Sequence, residues 1–194
     1  MATITAFQSI STDGVIQGLG RPDEDDRGGF VHGGWGQGYQ DEISMSFAAD
    51  GMSDEGALLF GRRTYEDLLG FWTTTSEPNP FADVLVQSTK YVAARSTDTP
   101  LAFPNSELVA GDAVDEVRAL KERASVPLTI MGSGELVRSL HAANLIDEYV
   151  LQIHPIVLGS GTRLFGTADR VDLELVRSVP TTTGVIIAQY VARR

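Results

Sequence analysis

The distribution of apolar residues predicts strands and helices that alternate along the first three quarters of the chain. Short runs rich in apolar and β-branched residues predict strands at 3–9, 57–60, 90–94, 107–109 and 127–131. Helical spacing of apolar residues predicts helices at 40–49, 63–69, 81–87 and 134–143, and one more helix that begins after Asp112. Strands that alternate with helices are typical of right-handed βαβ units, so we expect a parallel sheet in this part of the protein.

The last quarter of the chain has a different pattern, because its strands follow one another without helices. Strands are predicted at 148–157, 172–179 and 185–191, and the turn between Pro180 and Gly184 joins the last two as an antiparallel hairpin. We therefore expect a single α/β domain over residues 1–194. Its central sheet should be mixed, with a parallel core and an antiparallel C-terminal hairpin.

A Gly-rich, acidic segment at about 14–38 interrupts this pattern early in the chain. It holds nine of the 20 glycines together with the acidic run 23–26, and this composition does not favour a helix or a strand. A loop of this length in a compact protein is either a functional lid or a disordered insertion, and the sequence leaves both alternatives open. The helix that follows is expected to bury Ile43, Met45 and Phe47.

Charge and composition exclude several classes of protein. The chain has 15 basic and 26 acidic residues, a net charge of −11, and its first 60 residues alone hold ten acidic and two basic side chains. An acidic surface repels nucleic-acid phosphates and anionic lipids, so we expect neither nucleic acid nor a membrane as a partner. Cysteine is absent, which excludes disulfides, and no signal-peptide pattern follows Met1, so a cytoplasmic protein is expected.

Common catalytic motifs are missing from the sequence. Neither lysine follows a glycine, which excludes a Walker A phosphate loop. The serine-hydrolase motif GxSxG fails at both Gly-Ser-Gly sequences, because Met131 and Leu158 occupy the position of the first glycine. The histidines His32, His141 and His154 lack the spacing of metal ligands, so we expect no metal site and structural roles for all three.

Three places where a predicted strand ends carry groups suited to an anion. They are Gly61-Arg62-Arg63-Thr64, Arg95-Ser96 and Gly132-Ser133-Gly134. Backbone N–H groups at a helix N-terminus attract phosphate, glycine permits close approach, and arginine offers fork-shaped donors. Ligands of open α/β sheets bind at the carboxyl ends of the strands, so three such places together predict a phosphate-containing ligand. The alternative is that they are ordinary turns with solvated arginines.

Several longer motifs carry a resemblance to a known family. They are 131–137 (MGSGELV), 145–148 (LIDE) and 154–165 (HPIVLGSGTRLF), with shorter matches at 11–14 (STDG) and 59–66 (LFGRRTYE). In these motifs the chain resembles the C-terminal reductase domain of the bifunctional deaminase-reductase family of riboflavin biosynthesis. That family belongs to the dihydrofolate-reductase-like superfamily. The match runs in order over essentially the whole chain, and the motif at 154–165 is its most specific part.

The resemblance implies a fold, a cofactor and a set of binding residues. The fold is a three-layer arrangement with helices on both faces of the mixed sheet, and the cofactor is NADPH, often bound by a homodimer. Residues implied to meet the cofactor phosphates are Gly61, Arg62, Arg63 and Thr64. Those implied to line the pyrophosphate are Gly132, Ser133, Gly134, Glu135 and Leu136. Arg95 and Ser96 would lie at the 2′-phosphate, although the family's commoner Ser-Arg-Thr is Ala-Arg-Ser here.

We therefore expect an NADPH-dependent oxidoreductase that transfers a hydride to a small pteridine-like or ribityl-pyrimidine-like substrate. Asp13 is the first candidate for the proton donor, with Asp41 and Glu42 behind it, and an Asp-Gly turn is the structural alternative for Asp13. Flat heterocycles stack on aromatic rings, and the candidates for this contact are Trp35, Trp72 and Phe47. Two other functions stay open, a catalytically silent nucleotide-binding module and a flavin- or deazaflavin-dependent oxidoreductase.

Overall fold

The computed structural model describes residues 1–51, 56–74, 80–166 and 170–193. Strands in this part of the chain are β1 Ile4–Ser11, β2 Ala57–Gly61, β3 Lys90–Ala94, β4 Ser106–Ala110, β5 Leu128–Met131, β6 Glu148–His154, β7 Asp172–Pro180 and β8 Ile186–Arg193. Helices are α1 Glu42–Gly51, α2 Arg62–Thr74, α3 Pro80–Gln87, α4 Ala113–Arg123 and α5 Gly134–Ala142, with one 3-10 turn at Arg27–Gly29.

All eight strands join one sheet in the order β4-β3-β2-β5-β1-β6-β8-β7. The first six strands in this order run parallel to one another. β8 pairs antiparallel with β6, and β7 pairs antiparallel with β8. The predicted mixed sheet, with a parallel core and an antiparallel C-terminal hairpin, is therefore confirmed.

Side chains alternate between the two faces of the sheet, and this alternation divides the core into two layers. On one face, Leu59 of β2 and Ile130 of β5 pack with α4 and α5. On the other face, Phe60 of β2 packs with α2 and α3. Val150 of β6 lies on that second face too, where it packs with Phe47 of α1. We refer to these as the α4/α5 face and the α1/α2 face, and they confirm helices on both sides.

Helix α1 buries a narrower strip than its sequence predicts. Phe47 packs into the core as expected, but Ile43 and Met45 are exposed, Met45 by 55%. Ser44 is buried in their place. Its backbone N–H donates to Oδ1 of Asp41, and its hydroxyl donates to the backbone carbonyl of Asp41. This capping fixes the start of α1 and turns its neighbours on both sides toward solvent.

The Gly-rich segment at 14–38 is packed against the rest of the protein. Val15, Phe30 and Trp35 are buried and form a small core together with Leu158 from the loop after β6. Backbone bonds such as Gly34 N–H to the carbonyl of Gly18, at 2.7 Å, hold its turns together. A disordered insertion, one of the two alternatives from the sequence, does not fit this packing.

Within residues 1–51, 56–74, 80–166 and 170–193, none of the helices combines the length and the apolar content needed to cross a bilayer.

Gly132 and Gly70 should respond in opposite ways to replacement by alanine. Gly132 has φ of 70°, and a Cβ there would lie 2.9 Å from Cγ2 of Thr64, so Gly132→Ala should lower the free energy of unfolding by about 1–3 kcal/mol. Gly70 lies inside α2 with open space around it, so Gly70→Ala should raise that free energy by about 0.5–1 kcal/mol. Urea unfolding of both variants measures these free energies. A Gly132→Ala protein as stable as the wild type would contradict the close approach of Thr64 to Gly132.

Candidate functional site

The carboxyl ends of the parallel strands meet at one edge of the sheet, and two neighbouring strands diverge there. After β2 the chain enters α2 on the α1/α2 face, whereas after β5 it enters α5 on the α4/α5 face. Because β2 and β5 are paired, the two segments leave neighbouring strand ends on opposite faces of the sheet, and we call the region between them the crevice. In open α/β sheets a crevice of this kind, where the direction of winding reverses, is the usual place for a ligand.

The two junctions that border this crevice are joined by a hydrogen bond. The backbone N–H of Gly61 donates to Oγ of Ser133 at 2.9 Å, and Ser133 is buried. Thr64 lies directly against Gly132. The structure therefore brings together the first and third anion-binding sequences, although the amide of Gly61 and the hydroxyl of Ser133 already bond to each other.

The bond to Gly61 leaves the start of α5 without a side-chain cap. Ser133 occupies the N-cap position, but its hydroxyl makes no capping hydrogen bond. The first helical bond runs from the N–H of Val137 to the carbonyl of Ser133. The amides of Gly134, Glu135 and Leu136 precede it and therefore have no intrahelical partner, which makes this helix start suited to an anion.

Side chains of this first turn contribute little to a ligand. The side chain of Leu136 is buried in the core, so only its backbone is available. Glu135 is exposed and lies 3.5 Å from Nη1 of Arg138. A Cβ at Gly134 would collide with Ile16 of the Gly-rich segment, which packs over the start of the helix. A side chain at this position would therefore force Ile16 to shift.

The arginines of the site differ in what they contact. Arg62 pairs with Glu66 one helical turn away, at 2.8 Å. Arg63 and Arg95 are exposed and have no ion pair with any residue that the structure describes. Ser96 follows Arg95 and its Oγ accepts from the N–H of Asp98 at 3.1 Å. Arg63 and Arg95 are thus the two guanidinium groups at this edge that remain open to an anionic ligand.

Asp13 is engaged in a structural network. Its carboxylate accepts from the N–H groups of Leu158 and Gly159 at 3.0 and 2.9 Å, and from Oγ of Ser11 at 2.7 Å. Arg163 adds an ion pair at 3.3 Å. The bond from Leu158, with that from Ser11, holds the pKa of Asp13 well below its usual range. An acid that stays ionised is poorly suited to donate a proton, so the geometry favours the structural alternative for Asp13.

Asp41 is held in a similar way. It accepts from the N–H of Ser44 at 2.8 Å and from the N–H and hydroxyl of Thr182 at 2.7 Å each. The bond from Ser44, followed by that from the Thr182 hydroxyl, lowers the pKa of Asp41 to about 2. Asp41 therefore links the start of α1 to the β7–β8 turn. Glu42, the third acidic candidate, is exposed.

The aromatic candidates are not brought together. Trp72 packs against Phe81 of α3, with ring centroids 5.2 Å apart. Phe47 lies on α1, where the guanidinium of Arg177 sits 5.2 Å from its ring centroid. Trp35 alone lies near the carboxyl edge of the sheet, against His154.

Gln17 joins the Gly-rich segment to the loop after β6, and no motif in the sequence singles it out. Its Nε2 donates to the carbonyl of Arg27 at 2.9 Å, and its Oε1 accepts from the N–H and hydroxyl of Thr162 at 3.0 and 3.1 Å. Its own carbonyl accepts from Nε1 of Trp35 at 2.7 Å. These partners are 10 to 145 residues away in sequence, so only the folded chain reveals the role of Gln17.

His154 ends β6 on the α1/α2 face, beside Ser11 of β1. Its side chain is 5% exposed, and neither ring nitrogen has a hydrogen-bond partner among the described residues. The rings of Trp35 and Tyr39 meet it edge to face, each with a centroid distance of 5.2 Å. Burial disfavours the charged imidazolium and lowers the pKa of His154 to about 4, so the ring is neutral at pH 7.

Comparison with known families decides the relationship of this chain. The family model of the RibD C-terminal domain matches residues 2–187. The chain belongs to this family. Membership supports a reductase in general terms, and it agrees with the resemblance that the sequence motifs carry.

Individual relatives agree with the family and the fold. The Bacillus subtilis protein YyaP, described as uncharacterized, is 30% identical over 141 residues, which cover 69% of this chain and 72% of YyaP. A putative riboflavin biosynthesis protein from Shewanella sp. PV-4 is 24% identical, with a TM-score of 0.69 and complete coverage of both chains. Dihydrofolate reductase from Enterococcus faecalis, solved with NADP(H), is 16% identical with a TM-score of 0.65, covering 99% of this chain and 97% of the other. The dihydrofolate-reductase-like fold is therefore confirmed.

Replacement of Gln17 by leucine should loosen the Gly-rich segment and leave the sheet folded. The substitution leaves Thr162 N–H without its partner and removes one of the donors to the carbonyl of Arg27, which should cost about 1–3 kcal/mol. Limited proteolysis should then cleave within 14–38 faster than in the wild type. Exposed Gln37, which makes one surface bond to the carbonyl of Gly20, offers Gln37→Leu as a control with little effect. Equal cleavage of both variants would contradict the role of Gln17.

His154 should make the protein less stable in mild acid. The pKa is about 4 in the folded protein against 6.5 for an unperturbed histidine, so unfolding takes up a proton as the pH falls through this window. Stability from this group is complete above pH 6.5, and roughly 2–3 kcal/mol should be lost between pH 7 and pH 4.5. Urea titrations at both pH values should show this loss in the wild type and in His32→Phe, which changes an exposed position. His154→Phe should not show this loss of stability. If the variant has the same pH dependence as the wild type, His154 is not its cause.

Proposed function

We propose that this protein is an NADPH-dependent reductase that transfers a hydride to a small pteridine-like or ribityl-pyrimidine-like heterocycle. One observation carries the proposal. Where the neighbouring strands β3, β2 and β5 end, the chain carries an uncapped helix start after β5 and two arginines, Arg63 after β2 and Arg95 after β3, with no ion pair in the described part of the chain. This arrangement suits a polyanionic dinucleotide, and it occurs in a chain that belongs to a reductase-domain family.

The residues present fit a phosphorylated cofactor. β3, β2 and β5 are consecutive in the sheet, so Arg95, the junction at 61–64 and the start of α5 follow one another along the edge. We assign the pyrophosphate to the amides of Gly134, Glu135 and Leu136, with Arg63 and Thr64 on the opposite wall. Arg95 and Ser96 lie farthest from α5 along this edge of the sheet, and we assign them to the 2′-phosphate. Gly61, Arg62, Gly132 and Ser133 shape the crevice, since their polar groups or backbones are committed to other contacts.

NADPH, when bound, supplies the hydride, and the protein supplies position and environment. Segment 14–38 would cover the reactive end through Trp35, which packs over the end of β6, while Ile16 of the same segment lies against Gly134 on the pyrophosphate side. Such a cover shields the reaction from bulk solvent and leaves room only for single water molecules. Asp13 and Asp41 are both held ionised by their donors, so we propose that the proton reaches the substrate from water.

We also propose a cytoplasmic homodimer. Leu175 and Val176 of β7 and Ile186 of β8 are 48–58% exposed on the terminal hairpin of the sheet, and apolar side chains at a sheet edge are suited to a second copy. A chain without cysteine is compatible with a reducing compartment.

Turnover tests the reductase directly. The absorbance of NADPH at saturating concentration should fall when one member of a panel of pterins and ribityl-pyrimidines is added. Tight NADPH binding without turnover on any of them would instead indicate a nucleotide-binding module.

We expect Arg95 to bind the 2′-phosphate of NADPH. Arg95→Ala removes a charged hydrogen bond worth about 1.5–3 kcal/mol, so Kd for NADPH should rise roughly 10- to 150-fold while Kd for NADH stays the same. Arg118→Ala is the matched control, because Arg118 is an exposed arginine of α4 that pairs with Asp115. Calorimetric titration of both cofactors measures the change. Equal weakening of NADPH and NADH by Arg95→Ala would show that Arg95 does not contact the 2′-phosphate.

A further inference from the structure

A row of polar side chains lies on the α1/α2 face of the sheet near its carboxyl edge. Ser9 of β1 donates from its hydroxyl to Oε1 of Gln152 on β6 at 2.9 Å. His154 follows two residues later on β6, so it lies on the same face. We call Ser9, Gln152 and His154 the polar strip. The next residues of this face toward the other end of the strands, Phe7 and Val150, are apolar and lie in the core that α1 covers.

His154 is the least satisfied member of the polar strip. Both of its ring nitrogens are enclosed and have no partner in the described part of the chain. A buried polar atom without a partner costs about 1–3 kcal/mol, and native proteins contain few of them. The rings that enclose His154 belong to Trp35 and Tyr39, which lie outside helices and strands. A ligand can therefore reach the imidazole only if these two rings move aside.

The polar strip is uncharged. The imidazole is neutral because burial keeps its pKa near 4. The nearby acids Asp13 and Asp41 are committed to Leu158, Gly159 and Thr182. A ligand that reaches the strip therefore meets neutral donors and acceptors and no free carboxylate among these residues.

The polar strip also lies beside the proposed cofactor crevice. β1 pairs with β5 on one side and with β6 on the other, so Ser9 is one strand and His154 two strands away from β5, which leads into α5. A heterocycle on the strip would lie next to a dinucleotide that ends at β5. The substrate assignment that follows rests on the proposed reductase function and adds the residues that would bind the substrate.

We propose that Ser9, Gln152 and His154 recognise the substrate, and that they take the polar edge of an uncharged ring amide. Oε1 of Gln152 already accepts from Ser9, which leaves the side-chain NH2 group as a donor. A neutral imidazole offers one donor and one acceptor. A ring amide presents an N–H and a carbonyl, which are the complementary groups. A cationic or carboxylate-bearing ring would find no counter-charge in the strip.

Binding of pterin and of uracil, two ring amides, tests the polar strip by calorimetry in the presence of saturating NADPH. His154→Phe keeps a flat ring and removes both nitrogens, so Kd for pterin should rise roughly 3- to 10-fold. Kd for NADPH should be unchanged, and stability at pH 7 should be equal or higher because an unsatisfied polar group is removed. Gln152→Leu, at a half-buried position, should weaken pterin in the same way. His32→Phe should bind both ligands as the wild type does.

The outcomes separate this inference from the proposed reductase. Unchanged pterin binding in both His154→Phe and Gln152→Leu would overturn the inference, and so would equal weakening of pterin and NADPH, which indicates a structural role. Wild-type protein that binds NADPH but neither pterin nor uracil would also overturn it and leave the reductase in place. Wild-type protein that binds pterin through His154 but does not bind NADPH would support the polar strip and overturn the cofactor proposal.

Discussion

The divergence of two neighbouring strands determines the candidate site. β2 continues into α2 on one face of the sheet and β5 continues into α5 on the other, so the paired strands cannot be covered by one helix at their carboxyl ends. The crevice between them needs a close junction, which Gly132 provides with its positive φ beside Thr64. The same junction uses the hydroxyl of Ser133 to bond Gly61, and this leaves the start of α5 uncapped. The uncapped helix start, on which the proposed anion site depends, is thus a consequence of how the two junctions are held together.

The acidic side chains of this protein act through contacts with neighbouring groups in the fold. The net charge of −11 is concentrated in the first 60 residues, where several acids accept hydrogen bonds within the fold. Asp13 binds the loop after β6, Asp25 binds Arg27, and Asp41 binds the β7–β8 turn. These carboxylates fasten the Gly-rich segment and its surroundings. Arg63 and Arg95, which have no ion pair among the described residues, lie beyond Phe60 where the chain is nearly balanced in charge.

Local patterns in the sequence predicted the elements well and the contacts between distant segments poorly. β3 has the predicted bounds, and Asp112 caps α4 through the amides of Val114 and Asp115, because both features depend on neighbouring residues. Leu158 and Gly159, which bind the carboxylate of Asp13, are 145 and 146 residues away, and no local pattern reveals such bonds. The motif 61–64 predicted the junction, but it did not predict that Arg62 pairs with Glu66 while Arg63 stays open. The sequence predicts a structural role for His154 and does not reveal that its ring is buried without a hydrogen-bond partner. That feature depends on Trp35 and Tyr39, which are distant in sequence.

Amide hydrogen exchange with and without NADPH tests the central claim most directly, namely that the crevice between β2 and β5 is the cofactor site. Saturating NADPH should slow exchange at Gly134, Glu135 and Leu136, because these amides lack intrahelical partners and should bond the pyrophosphate. Exchange in α4, which lies outside the crevice, should stay unchanged. Protection confined to other parts of the chain, or no protection at 134–136 under saturation, would contradict the account.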